Sequence, residues 1–164
     1  MITISRIENF DVDGNTLTDI ERIDRDGDGY WDELLEFEQE YDAQGNMTRD
    51  VQTDANHHMF EPDSKHVYDV TQIFNEIGLV ASKCTTSDYS ADGIIDNQST
   101  ETITYDEALN QIRHYREYDG NNDGTINFVR DIRTSYNSTG LKTSELERID
   151  TNNDGEYDSI VNKI

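Results

Sequence analysis

Four stretches place oxygen-bearing side chains at alternate positions within nine residues: "DRDGDGYWD" from Asp24, "DYSADGIID" from Asp88, "DGNNDGTIN" from Asp119 and "DTNNDGEYD" from Asp150. Positions 1, 3, 5 and 9 read Asp24, Asp26, Asp28 and Asp32; then Asp88, Ser90, Asp92 and Asp96; Asp119, Asn121, Asp123 and Asn127; Asp150, Asn152, Asp154 and Asp158. Gly29, Gly93, Gly124 and Gly155 hold position 6, and Tyr30, Ile94, Thr125 and Glu156 hold position 7. A tight loop of this spacing aims positions 1, 3 and 5 at one point. Glycine at position 6 permits the sharp turn, position 7 offers a backbone carbonyl, and position 9 closes directly or through water. Calcium takes six to eight oxygens at about 2.3–2.6 Å, so the chemistry implied is capture of Ca2+, with about four sites expected. Carboxylates crowded this closely repel one another without a cation, and the loops at 24 and 150 carry the strongest signal. The 119 loop has two Asp and two Asn at these positions and is expected to bind more weakly. The competing reading is an Asp/Asn/Gly-rich turn that binds nothing. Four such loops in register favour the cation.

What must position these loops is legible from a second signal. An aromatic followed by Asp or Asn and then Gly or Asn recurs as "FDVDGN" from Phe10, "YDAQGN" from Tyr41, "FNEIGL" from Phe74, "YDEALN" from Tyr105 and "YNSTGL" from Tyr136. In four of the five units the Asp-rich loop begins 14 residues after the aromatic (10 to 24, 74 to 88, 105 to 119, 136 to 150). The flanking "IERID" at 20–24 returns as "LERID" at 146–150. Such a period marks a repeat array, with units of roughly 31 residues at about 4–34, 35–65, 66–98, 99–129 and 130–164 in a single repeat domain over 1–164.

Between the signals, apolar residues fall on one parity, as with Leu35, Phe37 and Tyr41, or Ile126, Phe128, Ile132 and Tyr136. Period two with turn residues at both ends predicts hairpins. The fold expected is all-β: an antiparallel up-and-down meander of about five two-strand repeats, ten or eleven strands in all. Its sheet is curled or barrel-like, with aromatic-Asp turns on one edge and calcium loops on the other. The five aromatics are expected to pack as a ladder at strand ends. Trp31, at the position held elsewhere by Ile95, Ile126 and Tyr157, is expected in the core.

"YDAQGNMT" at 41–48 resembles the YD repeat of the RHS family, whose units run roughly Tyr-Asp-x-x-Gly-Asn-Leu-Thr, and "FDVDGNTLT" at 10–18 is a near match. RHS proteins are secreted or surface β-sheet arrays that can form shells around toxin domains. The Asp-rich loops resemble those of EF-hands, dockerins and thrombospondin type 3 repeats, which implies a calcium-dependent extracellular module. An EF-hand places a bidentate Glu at position 12, where this chain has Leu35, Ser99, Arg130 and Val161. Helices are therefore not expected. The shell is completed by water, a backbone carbonyl, or an acid on an adjacent strand such as Glu21 or Glu147.

Composition agrees with dependence on a cation. Only 33% of residues are hydrophobic, and 36 acids against 13 bases leave a net charge of −23. That charge excludes nucleic-acid and anionic-membrane partners and makes the chain repel itself at neutral pH. Nine Tyr, five Phe and one Trp argue against disorder. Cys84 is the single cysteine, so no intrachain disulfide forms. No apolar run is long enough for a membrane span, and the N-terminus lacks the apolar core of a signal peptide. The chain is expected to be a fragment of a longer extracellular or cell-surface protein; a cytoplasmic location stays open.

The second unit departs from the pattern. "DANHHMFEPDSKH" carries His57, His58 and His66 beside Asp54, Glu61 and Asp63. A transition-metal or partner site is one reading, an eroded loop tolerant of insertion the other. A fifth calcium site near Asp54 and Asn56 is weak or absent. The acids belong to the repeat, and no nucleophile–base constellation accompanies them, so the chain does not read as an enzyme. The expectation is a calcium-stabilised spacer or adhesion module of a bacterial secreted or surface protein. Its alternatives are a glycan- or protein-binding module and a calcium buffer or sensor.

Overall fold

The computed structural model describes residues 2–56 and 64–164. Eleven β-strands follow one another: β1 (Thr3–Phe10), β2 (Thr16–Asp24), β3 (Glu33–Tyr41), β4 (Met47–Asn56), β5 (Ser64–Phe74), β6 (Val80–Asp88), β7 (Asn97–Tyr105), β8 (Gln111–Asp119), β9 (Phe128–Tyr136), β10 (Lys142–Asp150) and β11 (Ser159–Lys163). They form one antiparallel sheet in chain order, with β1 and β11 at its ends. The sheet is therefore open, which corrects the barrel-like expectation. Five tight turns that start with Asp or Asn join β1–β2, β3–β4, β5–β6, β7–β8 and β9–β10. The Asp-rich loops join β2–β3, β6–β7, β8–β9 and β10–β11.

The chain divides into two compact units, one comprising Met1–Gln72 and Thr85–Asp96, the other Ile73–Cys84 and Asn97–Ile164. In the first, β1 pairs with β2 from Thr3↔Asp24 to Phe10↔Thr16, and β3 pairs with β4 from Glu33↔Asn56 to Tyr41↔Met47. In the second, β7 pairs with β8 from Gln98↔Asp119 to Tyr105↔Gln111, and β9 pairs with β10 from Val129↔Asp150 to Tyr136↔Lys142. Each of these four pairings shifts register beside its terminal aromatic.

The corners share one hydrogen-bond plan. The side-chain oxygen of Asp11, Asp42, Asn75, Asp106 or Asn137 accepts the backbone N–H groups two and four residues on. The residue three positions on has positive φ; it is Gly14, Gly45, Gly78 and Gly140, but Leu109 (φ 66°) in the fourth corner. Where the corner starts with Asp, the residue four positions on is Asn, whose amide donates to the second carboxylate oxygen. Asn15 does so to Asp11 at 2.8 Å, Asn46 to Asp42 at 2.9 Å and Asn110 to Asp106 at 3.0 Å. Where it starts with Asn75 or Asn137, the facing group is an NH2 rather than an oxygen, and Leu79 or Leu141 stands there instead. These amide contacts hold the carboxyls of Asp11, Asp42 and Asp106 below their ordinary range.

Little apolar material is enclosed. Among the described residues Val129 is the only buried hydrophobic side chain, whereas Asp24, Ser87, Asp88, Asn97, Ser99, Asp119, Asp131 and Asp150 are buried polar ones. Asp131, fully enclosed, accepts from Arg113 Nε at 2.8 Å and Arg133 Nε at 3.0 Å. Burial would raise its pKa, but the two guanidiniums outweigh that and lower it. Cross-strand ladders, each pair contributing about 0.2–1 kcal/mol, do more here than an oily interior. Trp31 is 39% exposed, against the expectation of a core position. It precedes β3 in the loop; Tyr157, its counterpart, lies beside Arg148, with the guanidinium 5.4 Å from the ring centre. The five repeat aromatics end β1, β3, β5, β7 and β9. Tyr105 donates to the Val80 carbonyl at 3.1 Å and Tyr136 to that of Gln111 at 3.2 Å, corresponding positions one unit apart.

Candidate metal centre

In each Asp-rich loop the first aspartate is the last residue of a strand: Asp24 of β2, Asp88 of β6, Asp119 of β8 and Asp150 of β10. All four are buried, and each draws backbone N–H groups around its carboxylate. The position-6 glycine donates to it in every case: Gly29 to Asp24 at 3.1 Å, Gly93 to Asp88 at 2.8 Å, Gly124 to Asp119 at 2.8 Å and Gly155 to Asp150 at 3.1 Å. Burial pushes the Asp88 carboxyl up, but bonds from Gly93, Asp92 and Ser90 bring it below its usual value.

Position 5 caps the backbone N–H of position 7, as Asp28 does for Tyr30 (2.8 Å), Asp92 for Ile94 (2.9 Å), Asp123 for Thr125 (2.8 Å) and Asp154 for Glu156 (2.9 Å). Position 9 closes the neck of the loop: Asp32, Asp96, Asn127 and Asp158 each accept, through one side-chain oxygen, from the position-2 N–H of Arg25 (2.5 Å), Tyr89 (2.6 Å), Gly120 (2.6 Å) and Thr151 (2.7 Å). Spacing missed position 4. Gly27, Ala91, Asn122 and Asn153 all have positive φ there, alongside the position-6 glycines. Asn and Gly at that position were the available signal, since both tolerate the left-handed region.

Three carboxylates do converge. Ligand oxygens of Asp24, Asp26 and Asp28 lie within 4.8 Å of one another. Oxygens on opposite sides of one calcium ion are separated by at most twice the Ca–O distance, about 5 Å, so one cation can reach all three. Beyond the N–H bonds from Asp28 to Asp26 (3.1 Å) and from Tyr30 to Asp28, neither Asp26 nor Asp28 has a donor among the described residues. Arg25, the nearest cation in sequence, is held by Glu33 at 2.7 and 2.8 Å.

The 119 and 150 loops answer the same problem differently. The Asn121 amide donates to Asp123 at 2.9 Å and the Asn152 amide to Asp154 at 3.0 Å. An NH2 group thus occupies the side of position 5 that Asp26 leaves to a like charge. Position 12 lies in a strand or its continuation in every unit: Leu35 in β3, Ser99 in β7, Arg130 in β9 and Val161 in β11. Of the acids considered for completing a shell, Glu147 is engaged by Arg130 at 2.7 Å and Lys163 at 3.5 Å, and Glu21 pairs across the sheet with Arg6 and Leu35.

Asp54 and Asn56 lie inside β4, whose pairing with β5 runs through Asp54↔His66 and Asn56↔Ser64. The strand therefore continues past the point at which the other units open their loop. His57, His58, Glu61 and Asp63 lie outside the described residues. His66 packs edge-on to Tyr89, ring centres 5.9 Å apart, and its Nδ1 is buried with no hydrogen-bond partner among the described residues. Half-buried Cys84 accepts from Gln98 Nε2 at 3.2 Å.

Fold and loops together define the class: an antiparallel β-meander with acidic, internally braced hairpin loops and no described helix long and apolar enough to cross a membrane. The chain matches no protein-family model and no curated protein.

Proposed function

We propose that the protein is a calcium-binding, calcium-stabilised β-repeat module of a bacterial secreted or cell-surface protein, serving as a spacer or adhesion element. The observation that carries this reading is the Asp24–Asp26–Asp28 triad, three carboxylates within reach of one ion and without an amide between them. The setting supports it. A chain of net charge −23 with one buried apolar residue among those described has much to gain from a cation that neutralises its loops. The 88, 119 and 150 loops share the backbone plan and are proposed as further, weaker sites. Binding at 119 and 150 requires Asn121 or Asn152 to turn its oxygen toward the ion and give up the bond to position 5. The RHS-like corners and the calcium-loop resemblance are consistent with an extracellular array.

Calorimetric calcium titration, with circular dichroism and melting in calcium and in chelator, tests the proposal. Heat of binding and a raised melting temperature are expected. Absence of both in the intact protein would sink the reading. Near-millimolar affinity favours a surface module, whereas micromolar affinity favours the buffer or sensor alternative.

A ligand-binding reading draws on one feature of the first unit. A cleft of about 350 Å3 lies between neighbouring corners, lined by Asp11, Asp13, Asn15, Tyr41, Asp42 and Gln44. Carboxylates beside an aromatic suit a sugar ring, and chemical-shift changes confined to these residues on adding neutral oligosaccharides would favour it.

A further inference from the structure

The arginines of this chain are not matched alike. Arg6, Arg25, Arg49 and Arg130 each meet a carboxylate that no other arginine shares: Asp19, Glu33, Asp69 and Glu147. Arg113 and Arg133, directly opposite each other on β8 and β9, divide one carboxylate between them, the enclosed Asp131. Arg148 of β10 stands opposite Asp131 from the other side, yet among the described residues no carboxylate pairs with it. Opposed residues share a face, so three adjacent strands carry all three guanidiniums on one face.

Along these strands toward the corners, that face continues with Ser135 opposite Ser144. Toward the loops its nearest acid is Glu117, whose carboxylate accepts from the Tyr115 hydroxyl at 2.9 Å. Three positive charges therefore surround one negative, in a chain whose net charge is −23. The repeat does not account for them. In the first unit the positions of Asp131 and Arg133 hold Glu36 and Glu38, and that of Arg113 holds Thr18.

The geometry suits capture of an anion. Asp131 engages Arg113 through Nε alone and Arg133 through Nε and Nη2, so both keep terminal N–H groups for another acceptor. Their side chains stay 42% and 52% exposed. The Arg113 guanidinium lies 4.8 Å from the centre of the Tyr115 ring, as Arg148 lies over Tyr157, and each ring shields one side of its cation from water. A planar fork of N–H donors matches two oxygens of an oxyanion. Two uncompensated charges match one dianion, while the acids of the rest of the chain repel an extended polyanion.

We propose that the Arg113–Arg133–Arg148 face binds a phosphate dianion, free or as the monoester of a sugar; above about pH 7 either carries close to two negative charges. This proposal does not depend on the calcium reading.

Titration of the intact chain with inorganic phosphate, and separately with glucose 6-phosphate, tests it. The arginine Nε–H signals are followed by NMR in low-salt buffer in which circular dichroism shows the folded sheet. Saturable shifts confined to Arg113, Arg133 and Arg148 are expected. Arg148→Gln should weaken binding about tenfold with the circular dichroism unchanged, since no carboxylate is left unpaired. Arg25→Gln, which lies outside this face, should leave the affinity as it was. Both ligands bound equally supports the proposal and assigns the free anion; glucose 6-phosphate bound more tightly supports it and assigns the ester. Shifts that stay linear and spread over all the arginines overturn the proposal, as do shifts confined to the Asp-rich loops, where phosphate would be withdrawing calcium. An affinity that Arg148→Gln leaves unchanged, or that Arg25→Gln lowers as much, also overturns it.

Discussion

Asp26→Asn transplants the wiring of the 119 and 150 loops into the 24 loop. There an amide at position 3 donates to the carboxylate at position 5, at 2.9 Å from Asn121 to Asp123 and 3.0 Å from Asn152 to Asp154. At the 4.8 Å limit that bounds the Asp24–Asp26–Asp28 oxygens, each like-charge pair costs about 0.9 kcal/mol at water's dielectric, a floor for the pair that includes the buried Asp24. The substitution removes two of the three pairs. The calcium-free variant should therefore gain about 1–2 kcal/mol, or roughly 3–7 °C in melting temperature for a chain of this size. In calcium most of that advantage is lost. A hundredfold excess over Kd stabilises the original loop by about 2.7 kcal/mol; if losing one charge weakens binding about tenfold, the same calcium gives the variant only about 1.4 kcal/mol. Scanning calorimetry of both proteins in chelator and in calcium reads both numbers. A variant that melts lower than its parent in chelator, or that keeps the parent's full calcium shift, would refute the reasoning that Asp26 is held for a cation.

Further outcomes follow from the corners and from the buried acids. Leu109, 54% exposed with φ 66°, stands where four other corners carry glycine, and a left-handed non-glycine residue costs about 1–2 kcal/mol. After the added freedom of glycine in the unfolded chain, Leu109→Gly should stabilise by about 0.5–1 kcal/mol in urea denaturation, and a loss would count against the strain. In the β3–β4 corner, Asn46→Leu should destabilise the Asp42 protein more than it does an Asp42→Asn protein, and equal effects would show that the two residues are not coupled. Acid should unfold the protein in a defined window. Asp11, Asp42, Asp106, Asp131, Glu145 and Glu147 all titrate lower in the folded chain, so the unfolded chain takes up protons first as pH falls. Their contribution is complete above about pH 5 and is lost progressively below about pH 4; melting temperatures that are flat from pH 5 to 3 would contradict these assignments.

The amino-acid sequence by itself determined what is periodic. Alternation in segments such as 33–41 and 128–136, punctuated by glycine and Asp at fixed offsets, specifies strands, turns and their order, because side-chain period and turn conformation are local properties. The convergence of Asp24, Asp26 and Asp28 was legible for the same reason, since all three belong to one short loop. Only the tertiary structure decided what depends on neighbours in space. The bond from the position-2 N–H to position 9 forms because the strand register brings the two sides of the neck together, and spacing along the chain does not report it. Trp31, in the loop before β3, is exposed, something that hydrophobicity along the chain does not report. Asp131 is enclosed because β8 and β9 bring Arg113 and Arg133 to it, and its sequence neighbourhood carries no mark of burial. The open order of strands, too, was settled by pairing: local pattern says where a strand runs, and only pairing says which strands lie side by side.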